Sequence, residues 1–391
     1  MFINTIWKLQ RSKIVELISF IKDITDIILN NKNLNKAHAE IGISSIIIIA
    51  DKFLPRVDKI TSGLLSLNKY KIILLTKKKN YALYKHYDKI IYFYGSYKVK
   101  WILKYTHPFV IHIFSSWNFD IAYSLIKVKI KIKSKFIFDD YDVLAGMTNE
   151  KFVKSYLPTQ LEKEKYCLEN AEGLCCRSLE TQFAKKYLNY QYIGQRIFFP
   201  EYMREKINDK TQKNPVKSKT IVYAGNVNIE LLIKVSKVIN KIGWNIDVYP
   251  FQTKKSYKNI RQPNLKFYDP LPNKELIEKI KQYNLALQVP IDIENLVDQD
   301  IYTDHKKVYA MSGKMFDYIE ANNKVIISEL VLIRWILNRY GFAINIEPEN
   351  YLKELCDILV NYNHTNQYCN LTNRLTIKNQ IKRLEKFYKN L

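Results

Sequence analysis

The chain has 391 residues, of which 47% are apolar and 26% are charged, and its formal net charge is +24. This length exceeds what one ordinary core needs and suits two domains, while the composition excludes an intrinsically disordered chain. No apolar run approaches the roughly 20 residues that a bilayer-spanning helix requires. The N-terminus also lacks the continuous apolar stretch of a secretory signal peptide.

The excess of basic residues favours anionic partners, such as nucleotide phosphates, lipid diphosphates, an anionic membrane face or nucleic acid. An AT-rich coding sequence would also enrich Lys, Asn, Ile and Tyr, so the charge alone does not choose among these partners. The five cysteines form no C-x-x-C pair, which predicts reduced thiols in the cytoplasm and neither a disulfide framework nor a zinc site.

Residues 1–40 are predicted to form an N-terminal amphipathic helical segment, with the helix itself at 1–30. Its apolar residues recur at helical spacing, and Lys and Arg are interspersed with the acids Glu16, Asp23 and Asp26. Two interpretations stay open: the apolar stripe packs on the protein itself, or it lies on an anionic membrane surface. The apolar positions are Ile14, Leu17, Ile18, Ile21, Ile24, Ile27 and Ile28.

Residues 41–205 alternate between strand-like and helical patterns. SSIIIIAD, YKIILLT, DKIIYFY, FVIHIFSS and KFIFDD are β-branched or apolar runs typical of strands that are buried on both faces. Helices are predicted between them and beyond them, at 60–68, 99–105, 120–127, 159–171 and 181–187, with a short strand in GLCC. This alternation predicts a parallel sheet that is covered by helices on both faces.

A polar, lysine-rich stretch with Pro215 predicts a linker at 206–219, and the alternation restarts after it in a second domain at 220–350. Its strands are expected in TIVYAGN, WNIDVYPF, LKFYDPL, LALQVPI, KVIIS and FAINI. A helical tail follows at 351–391. The predicted fold class is therefore α/β, with two Rossmann-like, doubly wound parallel-sheet domains facing a central cleft.

The segment SGKMFDYIEANNKVIIS (312–328) is the candidate phosphate site. Ser312 is a good N-cap residue, and Gly313 and Lys314 would present backbone amides and a mobile positive charge at the positive end of a helix dipole. Asp317, one turn further, could accept hydrogen bonds from sugar hydroxyls. The alternative is an ordinary capped helix with Lys314 and Asp317 as a solvated pair.

The second domain resembles the C-terminal domain of GT-B glycosyltransferases, most of all the large retaining group often called family 4. The motifs that carry the resemblance are AGN, FYDPLPNKEL, KMFDYIEANNKVII and YGFAINI, in this order. In the first domain, FVIHIFSS and EKYCLENAEGLCCRSLE are also similar to the family, and the resemblance covers most of 44–346. It implies a sugar transferase that uses a nucleotide-sugar donor, retains the anomeric configuration and needs neither a metal ion nor a cofactor.

The resemblance also assigns roles to residues of the second domain. Ser312, Gly313 and Lys314 would seat the donor diphosphate, Asp317 would hold the ribose, and Gly225 and Asn226 would face the diphosphate from below. Asp269, Pro270 and Leu271 lie on the turn that usually faces the base.

Three departures from the family pattern leave open whether activity is kept, altered or lost. Tyr309 stands where many members have the acid that contacts the donor sugar. The loop GNVNIE, with Asn228, lacks the usual basic residue, and FLPRVDKITSG replaces a glycine-rich loop in the first domain.

The first domain offers His112 and the acids Asp139, Asp140 and Asp142 as candidates for a catalytic base or an acceptor contact. We expect His112 and Asp140 to be the catalytic candidates, although a histidine that alternates with buried residues is also typical of a structural role. Arg56 and Lys59, on the loop after the first strand, would meet an anionic acceptor or form part of a solvated loop.

The expected function is transfer of a sugar to a cell-surface glycan or a lipid-linked acceptor, in the cytoplasm or peripherally on the cytoplasmic membrane face. Two alternatives stay open: a nucleotide-sugar 2-epimerase, which shares the architecture, and a non-catalytic partner or anion-binding protein. No nucleic-acid motif is present, and the tyrosines are scattered rather than clustered, so nucleic acid is not an expected partner.

Overall fold

The structure is a computed structural model, and two compact units make up the chain: Met1–Pro200 with Gln380–Leu391, and Glu201–Asn379. It describes residues 2–52, 54–77, 87–128, 134–146, 158–204, 219–225, 228–250, 254–288, 312–328, 331–347, 350–362 and 375–391. The predicted linker at 206–219 lies outside the described residues except for Lys219.

The first unit contains a seven-stranded parallel sheet with the strand order β3-β2-β1-β4-β5-β6-β7. The central strands are fully buried because isoleucine, leucine and phenylalanine point to both faces, as the β-branched runs predict. The strands are β1 (Ser45–Ala50), β2 (Lys71–Lys77), β3 (Lys89–Phe93), β4 (Val110–Ser115), β5 (Lys135–Asp140), β6 (Gly173–Cys176) and β7 (Gln195–Phe198).

Helices alternate with these strands. They are α1 (Phe2–Leu29), α2 (Asn31–Glu40), α3 (Pro55–Leu65), α4 (Ser96–Lys104), α5 (Asp120–Ile126), α6 (Pro158–Asn170) and α7 (Glu180–Tyr187). The helix predicted at 60–68 begins five residues earlier, because Pro55 occupies its first turn, where its missing amide proton costs no hydrogen bond.

One strand of the first unit was not predicted, and one helix, α2, lies within the predicted helical segment 1–40 but beyond the helix predicted at 1–30. The strand β7 is an edge strand with mostly exposed or half-buried residues, so it lacks the apolar run by which the other strands were predicted. The helix α2 has the polar sequence NKNLNKAHAE, which gives almost no apolar periodicity.

The helix predicted at the N-terminus is confirmed as α1, but it packs on the first unit through its polar face. Asp23 and Asp26 are buried, whereas most of the apolar side chains between Ile14 and Leu29 are exposed. Of the two interpretations left open, packing on the protein itself therefore holds for the half-buried Ile27, which contacts the core, and not for the exposed residues. Among the described residues, no helix is both long enough and apolar enough to cross a membrane.

The second unit contains a six-stranded parallel sheet with the order β10-β9-β8-β11-β12-β13. The order reverses between β8 and β11, as in a doubly wound Rossmann-like fold. The strands are β8 (Thr220–Gly225), β9 (Asn245–Pro250), β10 (Leu265–Phe267), β11 (Leu285–Leu287), β12 (Lys324–Ile327) and β13 (Ala343–Asn345).

Helices cover both faces of this sheet and bury their apolar stripes in two clusters, one on each side. They are α8 (Ile229–Asn240), α9 (Asn273–Ile280), α10 (Gly313–Glu320), α11 (Val331–Arg339) and α12 (Tyr351–Val360). The last helix, α13 (Ile377–Asn390), lies mostly in the first unit, where Tyr388 contacts β4. The predicted pair of Rossmann-like parallel sheets is confirmed.

Candidate functional site

The candidate site of the second unit lies at the carboxyl ends of its strands, beside the reversal of strand order between β8 and β11. In open α/β sheets this edge is where ligands bind. Strand β8 ends at Gly225, whose φ of +108° lies in a region that glycine adopts far more readily than other residues. The neighbouring candidate Asn226 lies outside the described residues.

Helix α10 begins at Gly313, directly after the N-cap Ser312. The helix is amphipathic, and Met315, Phe316 and Ile319 bury its apolar face in the core. The Ser312 hydroxyl makes no capping hydrogen bond, contrary to the expectation that it would accept from the next turn. Within the described part of the chain, no side chain accepts from the amides of Gly313 or Lys314, so the helix end can receive an anion.

Lys314 carries a positive charge that no described carboxylate neutralises. Its ammonium group lies 3.4 Å from the Tyr223 hydroxyl, to which it donates, and 4.4 Å from the centre of the Tyr223 ring. None of the salt bridges between described residues involves it. Burial lowers the pKa of Lys314 to about 8, since a desolvated ammonium is disfavoured. The arrangement is that of a cation that an anionic ligand would stabilise.

Tyr318 fixes α10 against β8. Its hydroxyl accepts a 2.7 Å hydrogen bond from the amide of Ala224, and both groups are buried. Together with the contact between Lys314 and Tyr223, this bond places the first turns of α10 beside the last residues of β8. Tyr223 lies in TIVYAGN and Tyr318 in KMFDYIEANNKVII, but neither tyrosine was predicted to be a site residue.

Asp317 lies on the same helix but does not pair with Lys314. Its carboxylate accepts a 3.1 Å hydrogen bond from the Asn273 side chain, at the first residue of α9. The solvated Lys314–Asp317 pair, which was the alternative for this helix, is therefore not formed. Asp269 and Pro270 are exposed on the turn after β10, and Leu271 packs on the core.

Glu201 is a residue of this site that the sequence did not indicate. It is buried, and a Cβ built on Gly313 would lie 3.6 Å from its Oε1 atom. Within the described residues, this oxygen has no hydrogen-bond partner. Three residues later, the amide of Arg204 donates to Glu320 at the other end of α10. The segment 201–204 thus brings a buried carboxylate oxygen to the beginning of α10.

In the first unit, Arg56 and His112 belong to one buried network around Asp139. Arg56 lies in α3 and not in a solvated loop, and its guanidinium forms a 2.8 Å ion pair with Asp139. His112 lies in the middle of the sheet, where its Nδ1 atom is 2.7 Å from the Tyr388 hydroxyl. His112 and Asp139 are fully buried, so neither presents a surface to a substrate.

This network also contains a set of metal-ligating atoms. One atom each of His112, Asp139 and Cys175 lies within 4.8 Å of the others. The Arg56 Nη2 atom lies 2.8 Å from the Asp139 carboxylate and 3.4 Å from the Cys175 sulfur. Burial alone would raise the pKa of Asp139, but the charge of Arg56 holds that pKa below its ordinary value. The guanidinium therefore supplies the positive charge that a metal ion would bring.

Asp140, the next residue, belongs to a second buried group. Burial and the neighbouring carboxyl of Glu164 raise the pKa of Asp140 well above its ordinary value. Glu164, on α6, accepts hydrogen bonds from the amides of Leu144 and Ala145. Burial raises the pKa of Glu164 to about 8, although these amides oppose the rise, so Asp140 and Glu164 are two buried acids that hold their protons more strongly than ordinary carboxyls do.

The remaining first-unit candidates are divided between the surface and the core. Asp142 is half-buried and is held by Arg177 and Ser116. Lys59 lies on α3 and is buried. The structure thus places Ser312, Gly313 and Lys314 together at the beginning of α10, with Asp317 one turn further on, whereas the first-unit candidates are divided between separate groups.

Comparisons with solved structures identify the fold. Sucrose-phosphate synthase from Thermosynechococcus elongatus matches with a TM-score of 0.59 and 12% identity, over 88% of this chain and 95% of that one. The E. coli trehalose-6-phosphate protein bound with UDP-2-fluoro glucose matches with a TM-score of 0.53 and 11% identity, over 89% and 99%. UDP-GlcNAc 2-epimerase from Methanocaldococcus jannaschii, in complex with UDP-GlcNAc and UDP, matches with a TM-score of 0.51 and 12% identity, over 89% of this chain and 99% of that one.

These likenesses, at low identity, show that the chain has the GT-B fold. No family model matches the sequence, and no curated protein matches it.

Proposed function

We propose that the chain transfers a sugar from a nucleotide-sugar donor to a glycan or a lipid-linked acceptor. The observation that carries this proposal is the beginning of α10, where the amides of Gly313 and Lys314 accompany an ammonium group that no described carboxylate neutralises. The GT-B fold adds support, as does the position of the beginning of α10 beside β8, because this edge of a doubly wound sheet is where nucleotides bind.

The leaving group of such a transfer is a nucleoside diphosphate, whose negative charge increases as the sugar departs. The amides at the beginning of α10 and the Lys314 ammonium would stabilise that charge, as positive groups do at leaving diphosphates. Since these groups already supply positive charge, we expect transfer to proceed with a metal chelator present. Asp317, held by Asn273, is positioned to accept from the ribose hydroxyls.

Glu201 would contact the donor sugar. Its Oε1 atom lies beside Gly313 and, among the described residues, has no donor of its own. A sugar hydroxyl would satisfy this oxygen, and a buried carboxylate gains most from such a bond. Tyr309, which stands where related sequences have an acid, lies outside the described residues. In this proposal Glu201 takes the function of that acid.

The acceptor, the retention of anomeric configuration and the cytoplasmic location are parts of the proposal that depend on the sequence alone. The resemblance to family 4 supports retention. The basic composition favours an acceptor that carries phosphate groups, such as a lipid diphosphate.

The first experiment is a binding and turnover screen with UDP-, GDP-, ADP- and dTDP-sugars. A nucleotide that binds the folded protein should stabilise it by about 2.7 kcal/mol at a concentration roughly a hundredfold above its Kd, which thermal unfolding detects. Sugar release that depends on an added glycan or lipid acceptor would support a transferase. Conversion to another nucleotide sugar without any acceptor would indicate an epimerase, and no stabilisation by any nucleotide would contradict both.

A further inference from the structure

The helix α1 is attached to the first unit by its polar side. The Asp23 carboxylate accepts hydrogen bonds from the amides of Tyr94, Gly95 and Lys98, at the beginning of α4. A carboxylate in this position satisfies the free amides of a helix end and interacts favourably with its dipole. Asp26 adds a buried ion pair with Lys98. These bonds fix which face of α1 points inward.

The opposite face of α1 is apolar and exposed. Ile14, Ile18, Ile21 and Ile28 follow one another at spacings of four, three and seven residues, which places them on one stripe of the helix. Ile21 is 54% exposed and Ile28 is 69% exposed. Among the described side chains of α1, from Ile14 onward, the exposed apolar ones are Ile14, Val15, Leu17, Ile18, Phe20, Ile21, Ile28 and Leu29.

This orientation is the reverse of the usual one, in which a surface helix buries its apolar stripe against the core. Scattered exposed apolar residues are ordinary, but a continuous stripe of this kind marks an interaction surface. A single helix that exposes an apolar stripe can bury it in the outer part of a bilayer, where interfacial helices lie in the membrane plane.

The charges around the stripe favour an anionic partner. Lys22 is exposed and lies over the Tyr94 ring, and Lys104 of the neighbouring α4 is exposed beside Tyr105. Asp23 and Asp26 do not offset these charges at the surface, because both are buried and paired, and the exposed Glu16 lies seven residues before Asp23, on the side of α1 opposite the stripe. Tyrosine and lysine at the border of an apolar surface are typical of contacts with lipid headgroups.

A second copy of the chain is a less suitable partner for this stripe. Each copy carries a net charge of +24, so pairing would bring the lysines beside the stripe against one another. An anionic bilayer instead offers both the apolar layer and the opposite charge.

We propose that α1 is an interfacial helix, whose exposed apolar stripe inserts into the outer layer of an anionic lipid bilayer. This inference goes beyond the proposed sugar transfer, and it can hold whether or not that function does, because it depends on α1 and α4 alone.

The experiment compares the full chain with the double variant Leu17→Ser/Ile21→Ser and the control Ile43→Ser, which changes an exposed isoleucine outside α1. Co-flotation is measured with vesicles of phosphatidylcholine alone and of phosphatidylcholine with phosphatidylglycerol, without nucleotide. The unchanged chain and the control should float with the anionic vesicles only. The double variant should bind them at least about tenfold more weakly, since each buried methylene contributes about 0.8 kcal/mol.

All three substituted side chains are exposed, so each protein should remain folded, which circular dichroism checks. Equal vesicle binding by the double variant would overturn the proposal, as would no binding by the unchanged chain. Sedimentation without lipid tests whether a second copy of the chain covers the stripe instead. A dimer that the unchanged chain forms and the double variant does not form would assign the stripe to a second copy and overturn the lipid assignment.

Discussion

Lys314 carries its charge in surroundings that disfavour it. Burial lowers its pKa to about 8, and among described residues its ammonium group contacts a tyrosine instead of an acid. A bound diphosphate would reverse this penalty, because an opposite charge at short distance favours the ionised form. Lys314, whose charge is disfavoured in the free protein, is therefore the residue whose charge a bound diphosphate would stabilise most.

This property predicts how donor binding depends on pH. Below a pH of about 8 the ammonium is charged in the free protein, so affinity for a nucleotide sugar should be constant there. Above it, binding requires uptake of a proton, and affinity should fall by up to about tenfold per pH unit. Calorimetric titrations between neutral and alkaline pH measure this. Lys314→Arg is the control, since guanidinium stays charged throughout and should give a flat profile.

Glu201 predicts a different pattern at the same helix end. Glu201→Gln should leave the affinity for a bare nucleoside diphosphate unchanged or slightly stronger, because a negative charge near the phosphates is removed. Turnover of the nucleotide sugar should fall by about ten- to a hundredfold, the equivalent of a lost charge-assisted hydrogen bond of about 1.5–3 kcal/mol. Glu320→Gln, at the other end of α10, should change neither measurement. Equal turnover by Glu201→Gln and the unchanged chain would remove Glu201 from the site.

At the scale of elements, the position of α10 depends on its bond to β8. Tyr318→Phe leaves the buried Ala224 amide without its acceptor, which should cost about 1–3 kcal/mol of unfolding free energy and weaken nucleotide binding as α10 loses its alignment. Tyr340→Phe, a half-buried tyrosine of the same unit, should stay within about 0.5 kcal/mol. Urea unfolding measures both. If the two variants have the same stability, the bond does not hold the helix.

Asp140 on β5 and Glu164 on α6 are buried acids with raised pKa values, which predict the pH dependence of stability. The pKa of Asp140 is higher in the folded chain than its ordinary value of 3.8, so folding takes up a proton. This contribution is complete below pH 3.8 and is lost as the pH rises through the folded value. The contribution of Asp140 to stability should therefore decline on the alkaline side by at most about 1.4 kcal/mol per pH unit, and Glu164, whose pKa is also raised, adds a decline of the same sign.

Asp140→Asn mimics the protonated acid and should remove the Asp140 part of that decline, so the slope should become smaller. Asp120→Asn is the control, because burial of Asp120 is outweighed by bonds to Lys163 and Gln160, and its pKa lies below the ordinary value. The contribution of Asp120 to stability changes only at acidic pH, so Asp120→Asn should leave the slope of stability against pH unchanged between pH 5 and 8. Urea unfolding across this range compares the three proteins. An unchanged slope in Asp140→Asn would show that Asp140 is ionised in the folded state.

The helices and strands differ in whether they could be predicted from the sequence. Buried strands such as β1 were predictable because every residue after Ser45 is apolar, and α10 because an N-cap precedes an apolar stripe. The edge strand β7 and the polar α2 lack such patterns, since neither buries a continuous face. The same limit applies to the site: Lys314 follows from local chemistry, whereas Glu201 reaches Gly313 from 112 positions away in the chain.

At the scale of the whole molecule, the two parallel sheets followed from the alternation of strands and helices, and the comparisons show the GT-B fold. The direction in which α1 faces could not follow from its amphipathic pattern. An apolar stripe indicates that something covers it, but the inward face was decided by Asp23 and Asp26, which bond to α4 through contacts that no local pattern contains.

The central claim is that the beginning of α10 binds the diphosphate of a nucleotide sugar, and calorimetric titration of UDP, GDP and ADP tests it most directly. The proteins are the unchanged chain, Lys314→Ala, and the control Lys281→Ala, whose lysine is exposed just beyond the far end of α9 and pairs with Glu278. We predict binding of at least one nucleotide by the unchanged chain and the control, and a loss of about 1.5–3 kcal/mol in Lys314→Ala. Equal affinity in all three proteins, or no binding by the unchanged chain, would contradict the account.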